Sequence, residues 1–166
     1  MRLWLLILAT AVVLAVQVGF LAALKPFGVV PSLLLVFLVT ASLRGSVGST
    51  MVVAGLAGLV VDSASGAYFG LWTLLLPGAV LATKLIQRSG VVTHDVWVAL
   101  TVVAVATLLA AGVVITGMVG LITQWPVGLL AGRVGLEVAL NVALAAAVWP
   151  LTRWLTRPTD SLASVR

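Results

Sequence analysis

Cysteine is absent from the 166-residue chain, which excludes disulfide bridges, a thiolate nucleophile and any sulfur-ligated metal centre. Charge is scarce as well. Asp, Glu, Lys and Arg make up 8% of the residues, where a soluble domain carries about one quarter. Without charge a chain of this size has no wetted surface to present to water. Histidine occurs once, at His94, and the four acids Asp62, Asp95, Glu137 and Asp160 lie far apart. None of them pairs at the spacing of an acid–base couple, a metal-ligand set or an intramembrane protease centre. The chain therefore reads as a non-enzyme with no cofactor and no metal.

What it holds instead is hydrocarbon: 63% of residues are hydrophobic, and the mean hydropathy is +1.30. The Leu, Val and Ala runs are long and unbroken, unlike the short alternating segments of a membrane barrel. In lipid only helices and closed barrels satisfy their own backbone hydrogen bonds, so helices remain. The expected fold is all-α, a polytopic membrane bundle of about six transmembrane helices. A net charge of +5 invites thoughts of nucleic acid, but the nine basic residues are scattered singly near helix ends. That pattern reads as membrane topology, with no nucleic-acid partner.

The apolar run from Leu3 to Leu24 is about 22 residues, beyond the roughly 7–15 of a signal-peptide core, and predicts a first transmembrane helix. Lys25-Pro26-Phe27-Gly28 breaks it. Pro31 then opens a short second helix, Ser32 to Leu43, closed by Arg44-Gly45-Ser46. A third runs from Val47 to Val61 and stops at Asp62-Ser63-Ala64-Ser65-Gly66. A fourth covers Tyr68 to Thr83, with Pro77 as a kink, and a polar segment from Lys84 to Asp95 follows. A fifth spans Val96 to Ile122, Gln124-Trp125-Pro126 turns the chain, and a sixth runs from Val127 to Trp149, ended by Pro150. Residues 1–150 thus form a single transmembrane domain and 151–166 a short cytoplasmic tail.

Helices two and three are short enough to form a re-entrant pair, but the charges favour two spans. With the N-terminus in the cytoplasm, Arg2, Arg44, Lys84, Arg88, Arg153, Arg157 and Arg166 fall inside, against Lys25 and Arg133 outside. The expectation is six spans with both termini cytoplasmic.

Two polar sets stand out in the apolar background. Arg133, Glu137 and Asn141 are spaced by four and share one face of the sixth helix, an intramembrane polar face. Charges at membrane depth cost roughly 2.5–3.5 kcal/mol each, so they pair or face a protected interior. An internal Arg133–Glu137 ion pair is the simpler reading, a transport or ligand site the alternative. The second set is Asp62 among Gly55, Gly58, Gly66 and Gly70. Small residues at such spacing let helices approach closely, and Asp62 reads most simply as a capping or turn residue.

The run Gly55-Leu56-Ala57-Gly58-Leu59-Val60-Val61-Asp62, continuing to Gly66 and Gly70, resembles the MreD family of bacterial rod-shape-determining proteins. Pro31-Ser32-Leu33-Leu34-Leu35, ending in Arg44-Gly45, resembles the family's preceding segment, although Ser32 stands where the family commonly has Asp. The likeness covers roughly residues 1–90; beyond residue 95 it is hydropathy alone. It implies a non-enzymatic component of the cell-elongation machinery in the bacterial cytoplasmic (inner) membrane. Its implied partners are an MreC-like bitopic protein and, around it, RodA, a class B penicillin-binding protein, the MreB filament and membrane lipids. Gly55, Gly58, Asp62, Gly66 and Gly70 would be its partner or helix-packing residues. The rival is the substrate-binding S component of an energy-coupling-factor vitamin transporter, also six-helical, whose first-helix contact Ala11-xxx-Ala15 resembles. The outer loops offer Lys25, Asp62, Tyr68, Gln124 and Trp125, a thin set for a ligand cavity.

Overall fold

A computed structural model describes residues 3–21, 29–43, 45–65, 69–90, 95–117 and 127–155, and among them every regular element is helical. The described residues form six α-helices: α1 (Leu3–Ala15), α2 (Leu33–Ser42), α3 (Val47–Ser65), α4 (Leu71–Ser89), α5 (Asp95–Gly117) and α6 (Val127–Leu155). A π-helical turn, Val16–Leu21, extends α1.

The shortest helix is the centre of the bundle. In α2 every residue from Leu34 to Ser42 is buried, because Leu33-Leu34-Leu35-Val36-Phe37-Leu38-Val39 offers no polar side to turn outward. Around it lie α1, α3, α4, α5 and α6, each in contact with it. Leu34, Leu35, Leu38 and Val39 meet Leu76 and Val80 of α4, Val98 and Val103 of α5 and Ala145 of α6 in one continuous core. Ten residues rise only about 15 Å, half the roughly 30 Å of a bilayer core. The non-helical approach, Val29 to Ser32, is nevertheless packed into protein, with Val29, Pro31 and Ser32 buried. Irregular backbone at membrane depth is tolerated only under such cover.

The outward faces carry Trp4, Ile7, Leu8 and Val12 of α1, Val52, Leu56 and Val60 of α3, Leu74 and Leu85 of α4, and Leu108 and Leu109 of α5, all exposed. Soluble monomers rarely expose apolar side chains on this scale, whereas hydrocarbon accepts them. Among the described residues three segments are long and apolar enough to cross a membrane: Val47–Ala64, Asp95–Ile115 and Gly128–Pro150.

Several helix ends differ from the sequence expectation. The third helix does not stop at Asp62 but continues to Ser65, so Asp62 is a helical residue. The fourth continues through the expected polar segment to Ser89, which puts Lys84 and Arg88 on α4. Long basic side chains extend past apolar surface to polar groups, so they need not end a helix. Pro150 lies inside α6 rather than after it. The expected loop residues Lys25, Arg44, Gly66, Tyr68, His94, Gln124 and Trp125 lie outside the described residues, as does the tail beyond Leu155.

Candidate functional site: a carboxylate clamp and a capped central helix

The α3–α4 hairpin is held by two residues one turn apart on α3. Gly58 lies so close to α4 that an added Cβ would stand 2.5 Å from the Trp72 carbonyl oxygen and 2.7 Å from the Thr73 Cα and nitrogen. One turn on, Asp62 is 2% exposed and takes up the start of α4. Its Oδ2 accepts the Gly70 amide at 3.0 Å, the Thr73 amide at 2.9 Å and the Thr73 hydroxyl at 2.6 Å, and its Oδ1 accepts the Trp72 amide at 3.0 Å.

The chemistry follows from what α4 lacks. Its N-cap is Gly70, with φ +100° and no side chain to receive the first amides. Those amides have no partner within their own helix and carry the positive end of its dipole. A carboxylate delivered from the neighbouring helix answers both needs. Gly58 allows the approach, Asp62 supplies the charge, and Gly70 adopts the left-handed backbone that other residues resist. Gly55, by contrast, has nothing within 4 Å of an added Cβ and plays no part in the clamp.

The ends of α2 are capped in the same cross-helix manner. At its start the Ser32 amide donates to Asn141 Oδ1 at 2.7 Å and the Leu34 amide donates to Gln17 Oε1 at 2.7 Å. Asn141, wholly buried, also donates through Nδ2 to Thr107 Oγ1 at 3.0 Å. At its end the Leu43 carbonyl accepts Lys84 Nζ at 3.2 Å and Gln87 Nε2 at 3.3 Å, and Gln87 donates as well to Asp95 Oδ1 at 3.1 Å. Acceptors thus face the amides and a cation faces the carbonyl, as the helix dipole favours. Among the described residues no group of three His, Asp or Glu side chains is placed to hold a metal ion.

A family model described as rod shape-determining protein MreD matches residues 1–158, nearly the whole chain. The chain belongs to the MreD family. No curated protein and no solved structure matches it. MreD proteins are shape-determining membrane proteins and not a known enzyme family, and this member serves rod shape determination. The match carries the likeness seen over residues 1–90 through α5 and α6.

In this MreD chain the three polar residues of α6 differ in burial. Steps of four residues advance about 40° around a helix, so Arg133 and Asn141 stand some 80° apart. That drift is enough to leave Arg133 exposed and Glu137 half-buried while Asn141 is enclosed against α2 and α5. Nothing in the sequence assigns Gln17, Lys84 or Gln87 to the ends of α2. Gln17 had a signal, a lone amide within an apolar span, where polar groups are normally partnered. Between α4 and α5 runs an apolar groove of about 770 Å³, lined by Leu71, Leu74, Gly78, Ala82, Val105 and Leu109 among others.

Proposed function

We propose that this protein is a multi-pass component of the bacterial cytoplasmic membrane that holds the single transmembrane helix of an MreC-like partner. It thereby serves the cell-elongation machinery, with RodA, a class B penicillin-binding protein and MreB in the wider assembly, and does no chemistry itself. The observation that carries this reading is the MreD match across residues 1–158. The use of polar groups supports it: Asp62, Gln17, Asn141, Lys84 and Gln87 are all engaged with helix ends. A passive scaffold needs its polar side chains for that purpose, whereas a transporter needs several converging on a ligand.

The chain crosses six times with both termini inside. The basic residues favour this sidedness, and Trp4 and Trp97, both exposed, fall near the same cytoplasmic boundary as Arg2 and Arg88. The short α2 completes its crossing with the non-helical segment before it.

Two experiments decide. Because the chain lacks cysteine, single cysteines report sidedness without background. A cysteine at Ala64 should react with an impermeant thiol reagent in intact cells and one at Thr93 should not; the reverse refutes the topology. Depletion in a rod-shaped host should give rounded cells, with an MreC-like protein copurifying from the undepleted strain. Depleted cells that keep their shape, with a vitamin bound to the purified protein, would make it a transporter component.

A further inference from the structure

The first helix carries no mark that fixes its rotation. Leu3 to Ala15 is apolar around its whole circumference, with Thr10 as its one polar residue. Thr10 does not tie α1 to a neighbour, since its hydroxyl donates to Leu6 O one turn back at 2.7 Å. Only Leu6 and Thr10 of that stretch are buried, while Trp4, Ile7, Leu8 and Val12 are more than half exposed. An apolar helix in apolar solvent gains little by preferring one side.

The exception comes immediately afterwards. At Val16–Leu21 the hydrogen bonds widen from the α to the π pattern, and Gln17, 8% exposed, reaches the Leu34 amide of α2 at 2.7 Å. A π turn holds one residue more than the α turn it replaces and is rare without a compensating contact. Gln17 supplies one, because the Leu34 amide, at the start of a buried helix, has no partner within that helix.

We propose that α1 has two rotational registers and that the Gln17–Leu34 bond selects the one containing the π turn. In the other register the helix is continuous through Leu21, and Leu3–Ala15 is turned by about 100°, the angle of one residue. Ile7 and Ala11 then take the bundle-facing places of Leu6 and Thr10. All four are small enough or apolar enough to sit there, so the second register stays folded. The register decides which apolar side of α1 meets lipid, and so which side an incoming transmembrane helix would find.

The test uses single cysteines carrying nitroxide labels, one position at a time, in protein reconstituted in lipid vesicles. In the wild type, labels at Ile7, Leu8, Ala11 and Val12 should all be accessible to dissolved oxygen, as lipid-facing positions are. In Gln17→Leu the labels at Ile7 and Ala11 should lose that accessibility while those at Leu8 and Val12 keep it, a shift of the pattern by one residue. Gln17→Met, nearly isosteric with glutamine, should give the same shift. An unchanged pattern in either variant overturns the proposal. So does failure of both variants to accumulate, because the proposal requires a second folded register.

Discussion

Gly58→Ala tests the clamp most directly, because it adds one carbon where three backbone atoms leave no room. The new Cβ would lie 2.5 Å from the Trp72 oxygen and 2.7 Å from the Thr73 nitrogen and Cα, against the roughly 3.5–4.0 Å of comfortable contact. None of these atoms belongs to a side chain that rotates away, so α3 and α4 must separate by about 1 Å. Asp62, one turn along the same face, then loses reach. Its bonds to Gly70, Trp72 and Thr73, at 2.6–3.0 Å, are stretched toward or past the limit of a useful hydrogen bond. Overpacking costs about 1–3 kcal/mol, and weakened bonds to a buried carboxylate add to it, giving roughly 2–4 kcal/mol in all. At about 2–4 °C per kcal/mol for a chain of this size, the melting temperature in detergent should fall by roughly 5–15 °C. Gly55→Ala is the internal control: the same exchange, three residues away on the same helix, with nothing within 4 Å of the added carbon. It should be neutral or raise stability by up to about 1 kcal/mol, through the helix preference of alanine over glycine. Equal melting temperatures for the two variants would refute the close-approach reasoning. Gly58→Ala at normal stability but without partner copurification would move the site from internal packing to docking.

Further outcomes follow from the same geometry. Asp62→Asn keeps the shape but turns an acceptor-only group into one with an amide facing donors; about 1–3 kcal/mol should be lost, read as a lower melting temperature. Wild-type stability in that variant would show that the negative charge does nothing for α4. Asn141→Leu leaves the Ser32 amide buried without its acceptor and removes the donor to Thr107, for about 2–4 kcal/mol, whereas Asn141→Gln should recover part of that. A leucine variant as stable as the wild type would mean that water or a neighbouring group replaces the amide.

The sequence by itself determined the class of molecule. With 8% charged residues and unbroken apolar runs, no water-facing fold was open to it, and the backbone's own hydrogen bonding left helices as the answer. It determined the helix order too, because Pro31, the Arg44-Gly45-Ser46 break and the Gly66–Gly70 region interrupt the runs at legible places. The stretch Gly55 to Gly70 was enough for the family resemblance, since glycine and a carboxylate are conspicuous in such a background. What only the tertiary structure decided is the partner of each polar group. Asp62 reads as the end of its own helix, yet it caps the next one, because the amides it serves are brought beside it by a turn of the chain. Arg133, Glu137 and Asn141 read as one face, yet only Asn141 is enclosed, because burial depends on where α2 and α5 pack. Lys84 reads as a loop residue, yet it closes the central helix from 41 positions away. In lipid the hydrophobic effect does not sort one apolar face from another. Which face turns inward is left to close packing and to a few hydrogen bonds between residues distant in sequence.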